Sequence, residues 1–286
     1  MSIFFGVVIA IGWVFSQIYA DPSILYIAVV FSIVINVVSY WFSDKIVLAL
    51  HHAKPVDMKS NPELYRILEN ISIAAGIPMP RLYVIPDDAP NAFATGRNAN
   101  HAIVCVTEGL LRMLERSELE GVLAHELSHI SNRDMLVSTV AVVLVGMISI
   151  LSDMFMRSLW FGGGRSRDER GSNGMLLIIG IALSILAPIF AMLIQLAISR
   201  RREFLADASG ALLTRYPDGL ISALKKIGSY NRPLATATNA TAHLFFENPF
   251  GADRAKSGRK TPWIVKLFST HPAIEDRIRA LESEKF

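Results

Sequence analysis

The 286 residues are 52% hydrophobic and only 19% charged, with a mean hydropathy of +0.39; soluble domains sit nearer a quarter charged, so part of this chain is expected in lipid. The net charge of +3 and pI of about 9.0 invite a nucleic-acid reading, but the basic residues cluster beside apolar stretches, where an anionic leaflet explains them and no nucleic acid is needed. Cys105 is the only cysteine, which excludes an intrachain disulfide and fits the reducing, cytosolic side of a membrane.

Residues 1–20 carry no charge, and neither do residues 22–43. Each run reaches the roughly 18–20 residues that span a hydrocarbon core. The first has no Lys or Arg ahead of it, and a second apolar run follows almost at once. Both facts argue against a cleaved signal peptide and for a membrane hairpin turning at Asp21-Pro22. Residues 1–43 therefore read as one unit, with a polar segment, 44–134, after it.

In that segment Asn61-Pro62-Glu63 predicts an N-cap, a proline at the first helical position and an acidic first turn. Leu64, Ile67, Leu68 and Ile71 form the apolar stripe of the helix, and Gly76 followed by Pro78 stops it. Arg81–Ile85 and Ala102–Val106 are β-rich runs, separated by Asn91–Gly96 and the turn-like Arg97–Asn100. The pattern predicts a small antiparallel sheet of about three strands. A helix follows, with Ser117 and Glu120 as a capping box and Leu119, Val122, Leu123, Leu127 and Ile130 at helical spacing. Leu123 and Leu127 fall roughly opposite His125 and His129, so one face can pack while the other does chemistry.

That helix carries His125-Glu126-Leu127-Ser128-His129, an H-E-x-x-H pattern. Residues four apart share a helix face, so two imidazoles at this spacing can grip one metal ion. The glutamate beside them can act on a water at the metal, as in zinc proteases. Alone, the pattern also fits a surface helix with two unrelated histidines.

Residues 135–152 and 171–199 are again uncharged and predict a second membrane hairpin, kinked at Pro188. It separates the polar segment from residues 200–286. Segment 44–134 holds nine Lys and Arg residues, Arg200, Arg201 and Arg202 crowd the end of the fourth run, and the Asp21 turn has none. This bias puts both termini and the polar segments in the cytoplasm. The 157–173 loop, with Arg157, Arg165, Arg167 and Arg170, goes against the rule and leaves open whether the second hairpin spans fully. If it does, Glu203 and His129 emerge at the same face. His129 lies six residues before the third run begins, a helical rise of only about 9 Å, so a metal there would sit close above the lipid. Glu203 is then the candidate third ligand, and Asp207, one turn on, could hold a ligand histidine; a solvated acidic patch answering the arginines is the plainer alternative. Helices are expected near 203–214, 218–228 and 273–284, with a mobile segment across 229–262.

Four segments together carry a resemblance: N-A-F-A-T-G at 91–96, A-H-E-L-S-H-I-S-N-R-D-M at 124–135, R-R-E-F-L-A-D at 201–207 and S-T-H-P-A-I-E-D-R-I at 269–278. With the four apolar runs in order, nearly the whole chain resembles the HtpX-type membrane zinc metalloproteases, relatives of the CAAX prenyl proteases. The resemblance implies a mainly α fold with a small antiparallel sheet (α+β), about four transmembrane helices and a cytoplasmic zincin-like protease domain. It implies one Zn2+ per chain bound by His125, His129 and Glu203, with Glu126 as general base. Asn91, Ala92 and Phe93 would be an edge strand along the substrate. His271 would stabilise the developing oxyanion, and Arg277 would pair with an acidic group. The implied role is hydrolysis of misfolded membrane proteins at the cytoplasmic face of the plasma (inner) membrane, in stress response and quality control.

Two other classes fit the sequence less well. A transporter would want ionisable residues inside its spans, and only Asp153 sits near an end of one. A scaffold with a structural metal would want a fourth protein ligand, and no suitable Cys or His lies nearby unless His271 swings in. His51 and His52 read as interfacial, and His101 and His243 as solvated or locally hydrogen-bonded.

Overall fold

The computed structural model describes residues 2–18, 20–132, 201–230, 232–236, 244–247, 249 and 272–283. The expected 135–199 hairpin lies outside them. The chain divides into two compact units, Met1–Ser43 with Val140–Ile194 and Asp44–Thr139 with Gln195–Phe286.

The first unit holds helix α1 (Ser2–Ile18) and the start of α2 (Ser23–Leu50). Asp21 makes the turn, its N–H donating to the Ser16 carbonyl at 3.0 Å and its carboxylate accepting the Ser23 N–H at 2.9 Å. Gly12 lets the helices close up, because a Cβ there would overlap the Ala28 side chain. Tyr26, Ile27, Val30, Ile33, Val34 and Val37 recur at helical spacing along α2 and are all at least half exposed. Helix α2 does not stop with the apolar run at Ser43 but continues past Asp44 and Lys45 to Leu50. Among the described residues no helix is long and apolar enough to cross a membrane, so the fold does not establish the expected count of spans.

The second unit is built on a four-stranded sheet of order β1-β2-β4-β3: β1 (Lys54–Val56), β2 (Arg81–Ile85), β3 (Ala92–Thr95) and β4 (Ile103–Thr107). The sheet is mixed, not antiparallel as expected. Strand β3 runs back from β2, and the turn after Gly96 reverses the chain again. Strand β4 therefore inserts between them parallel to β2 and antiparallel to β3. The sequence reading missed β1, a three-residue run holding Pro55, which pairs antiparallel with β2; a proline is tolerated there because β1 is an edge. Helix α3 (Pro62–Ala75) begins and ends as expected. The Asn61 side chain accepts the Leu64 N–H at 3.1 Å, and Gly76 adopts φ +66°, the left-handed cap that glycine takes without strain.

After a short α4 (Glu108–Met113) comes α5 (Arg116–Ser131), the helix with the H-E-x-x-H pattern. Its capping box lies two residues earlier than expected, at Glu115 and Glu118. The Glu118 carboxylate reaches back to the Glu115 N–H at 2.8 Å, whereas Glu120 pairs with Arg116 at 3.1 Å. Glu118 also accepts from Ser222 at 2.6 Å and Lys226 at 2.8 Å, which ties the start of α5 to α7 (Pro217–Ser229). Burial favours its neutral form, but these donors prevail and hold its pKa below the ordinary carboxylate value. Nor does α5 split into a packed and an open face. Leu119, Val122, Leu123, His125, Glu126, Leu127 and Ser128 are all buried, because α5 packs against β3, α3 and α7 at once. Helix α6 (201–214) precedes α7, and α8 (Ile274–Ser283) packs on α7.

Two expectations give way here for one reason, that of a mobile segment only over its described residues. The 229–262 segment holds Leu234, Leu244, Phe245 and Phe246, each at most 7% exposed, so its described part is anchored in the core. His51 is fully buried, not interfacial: Nδ1 lies 2.8 Å from Thr236 Oγ1 and its ring 5.1 Å from that of Phe245. Burial pushes its pKa down to about 4, so it stays neutral. Neither packing partner could be read from a segment without periodicity. His101 is exposed and bound locally to Asn98, as expected.

Candidate metal centre and active site

His125 and His129 face the same side of α5, with their Nε2 atoms 3.2 Å apart. Glu203 reaches them from α6, its Oε1 3.5 Å from His129 Nε2 and its Oε2 3.8 Å from His125 Nε2. A tetrahedral ion with bonds of about 2.0–2.1 Å needs ligand atoms about 3.3 Å apart, so these three fit one zinc. Two neutral imidazoles and one carboxylate are also a donor set that catalytic zinc takes, and among the described residues this is the one such His/Glu group. Burial keeps His125 neutral, its pKa lowered to about 4, although Asp207 opposes the shift.

Helix α6 comes close because of Gly210. A Cβ there would stand 2.9 Å from the His125 nitrogen and 3.1 Å from its Cα, nearer than real side chains approach backbone. Asp207 and Glu203 lie on the turns before Gly210, so the close crossing aims both at His125. Gly210→Ala is expected to push α6 off α5, costing about 1–3 kcal/mol and weakening zinc binding. Thermal melting and chelator competition check this; an unchanged zinc affinity would show that the crossing does not set the ligand position.

Asp207 Oδ1 is 2.9 Å from His125 Nδ1. That contact places the proton on Nδ1 and turns the Nε2 lone pair to the metal position. Arg277, on α8 and wholly buried, donates to Asp207 through Nε at 2.8 Å and Nη2 at 2.6 Å. Burial raises the cost of charge on both. Yet Arg277 holds the Asp207 pKa below its ordinary value, and Asp207, with Glu203 at 3.7 Å, holds that of Arg277 above its own. The acidic partner expected for Arg277 is therefore Asp207.

Glu126 is 2% exposed. Burial, reinforced by nearby Glu203 and opposed by His129, raises its pKa to about 7. The Ala94 backbone N–H on β3 faces this carboxylate and slightly opposes the rise. Of the expected edge strand, Asn91 is buried and accepts the Ala92 N–H at 3.0 Å and the Glu247 N–H at 3.2 Å, while its amide donates to the Glu247 carbonyl at 2.8 Å. The Ala92 carbonyl accepts the Phe246 N–H at 2.7 Å, and Phe93 is buried beside Phe245. Strand β3 is an edge of the sheet, but at Ala92 the chain's own segment lies along it. His271 falls outside the described residues. The sequence reading missed Phe246 and Gly210; the apolar triplet Leu244-Phe245-Phe246 amid polar residues was the available signal for the first, and nothing marked the second.

The pattern of peptidase family M48 matches residues 58–285. The chain is 51% identical over 259 residues to a protein named Protease HtpX homolog from Syntrophobacter fumaroxidans, covering 90% of this chain and 88% of that one. It is 48% identical over 284 residues to the Protease HtpX homolog of Pyrococcus furiosus, covering 98% and 92%. Among solved structures it is similar to Ste24p of S. mikatae, with a TM-score of 0.56 at 19% identity, covering 97% of this chain and 62% of that one.

Proposed function

The chain belongs to peptidase family M48 and is a metalloprotease, and from that membership we propose a zinc-dependent endopeptidase at the cytoplasmic face of the plasma membrane, acting in quality control of misfolded membrane proteins. The observation that carries the reading is the convergence of His125, His129 and Glu203 on one point beside the buried Glu126. Zinc held there, one per chain, would supply a Lewis acid to polarise the attacking water and the scissile carbonyl.

The chain's own residues do the rest. Glu126 takes the proton of the attacking water as it adds to the carbonyl, then passes it to the departing amine. The Ala94 N–H stands beside that carboxylate from β3. Asp207, clamped by Arg277, keeps the His125 proton on Nδ1 through the cycle. A substrate strand would meet the sheet at the β3 edge, at Asn91, Ala92 and Phe93, where Phe246 already holds the Ala92 carbonyl. His271 as donor to the developing oxyanion rests on the resemblance alone.

Membrane residence is supported by the four uncharged runs and by the exposed apolar face of α2, which water would leave uncovered. Lys and Arg bias supports the cytoplasmic face. In inverted membrane vesicles a soluble unfolded protein is expected to be cleaved, and chelation should stop the cleavage until zinc is returned. Sealed right-side-out vesicles should spare it. Cleavage in right-side-out vesicles would move the site to the other face, and chelator-resistant cleavage would remove the metal from the reaction.

A further inference from the structure

We propose that Phe246 is a positioning residue for the metal centre, fixing the plane of the His125 imidazole and the seat of the Arg277 guanidinium. The inference rests on the zinc reading above. Phe246 is 1% exposed and makes four contacts that converge on the site. Its N–H donates to the Ala92 carbonyl at 2.7 Å, and its carbonyl accepts from Arg277 Nη1 at 3.0 Å. Its ring meets that of His125 nearly edge-on, with centroids 4.9 Å apart at 85°. The Arg277 guanidinium carbon lies over the same ring, 4.6 Å from its centroid.

Each contact removes a freedom the others leave. The hydrogen bond to Asp207 pins one atom of the His125 ring, about which the imidazole can still pivot and swing Nε2 off the metal. A phenyl packed edge-on blocks the pivot. Arg277 is likewise held in its plane by Asp207 and the Phe246 carbonyl, and across its plane by the ring face, a cation–π contact. One residue thus braces the ligand and the cation that orients that ligand's partner.

The same segment lies along the β3 edge, so a removable competitor for substrate is the other reading of Phe246. The burial of Leu244 and Phe245 beside it, with Phe245 packed on Phe93 and His51, favours a fixed part of the core. The two readings predict opposite effects.

The test uses the full chain, stripped of metal and reloaded with Co2+ or Zn2+. Variants are Phe246→Leu, which keeps most of the volume but no aromatic face, Phe246→Ala, and Phe245→Ala as a buried aromatic control one residue away. Both Phe246 variants are expected to shift the visible Co2+ ligand-field bands. They should weaken zinc binding in chelator competition by roughly ten- to a hundredfold, as for other groups that orient metal ligands. Phe245→Ala should lower the melting temperature yet keep the wild-type spectrum and zinc affinity. Phe246 variants whose spectrum and affinity match Phe245→Ala would overturn the inference, as would faster cleavage in Phe246→Ala, which marks a displaced competitor. A wild-type chain that takes up neither metal would overturn the zinc reading and this inference together.

Discussion

Glu126→Gln is expected to lower peptide hydrolysis by roughly a hundred- to ten-thousandfold, the usual cost of losing a general base, while bound zinc stays at its wild-type level. Glutamine keeps the size of the side chain and can still take the Ala94 N–H through its carbonyl oxygen, so the β3 contact survives. What disappears is the carboxylate proposed to accept the proton of water. The residue is buried at 2% exposure, and replacing a buried carboxylate by a neutral amide does not strain the core. Loss of activity with retained zinc therefore isolates the proton transfer. Undiminished cleavage would overturn the mechanism, and loss of both zinc and activity would make Glu126 a ligand or a folding residue instead.

His125→Ala, His129→Ala and Glu203→Ala should each strip most zinc from a chain that otherwise binds about one. The three donor atoms lie within 4.8 Å of one another, and removing any one leaves a two-ligand site. The loss should exceed the roughly ten- to hundredfold seen when an outer hydrogen-bond partner goes. Metal analysis of the purified variants, with chelator competition on the wild type, measures it. Full zinc retention in Glu203→Ala would take α6 out of the site. The three variants should not fold equally well: Glu203→Ala removes an acidic neighbour of the buried Arg277, whereas His129 is the most exposed of the three.

The site was legible where one short segment carries it. His125, Glu126 and His129 follow from helical spacing. Glu203 and Asp207 follow from a second i, i+4 pair, placed by counting residues from the apolar runs. Arg277 needed the resemblance, since nothing within its own helix says which carboxylate it meets. Phe246 and His51 were out of reach because their partners lie 121 and 185 residues away in sequence, respectively Phe246 on His125 and His51 on Thr236. The sheet shows the same limit. The β2, β3 and β4 runs were each found, but the order in which they pair depends on which neighbour buries β4 best. An alternating pattern cannot report that, and a fully buried strand such as β4 does not alternate at all.

The dependence of Asp207 on Arg277 has a consequence for how the protein is made. A growing chain presents His125 and His129 first, then Glu203 and Asp207, and Arg277 last. Until α8 is available, Asp207 lacks the cation that compensates its charge, so it has to remain solvated or protonated, and α6 cannot seat fully against α5. The nascent chain can hold all three candidate ligands and still lack the cation that orients one of them. On the proposed reading, a chain assembled in this order is expected to orient His125 through Asp207 only once the helix that carries Arg277 has docked.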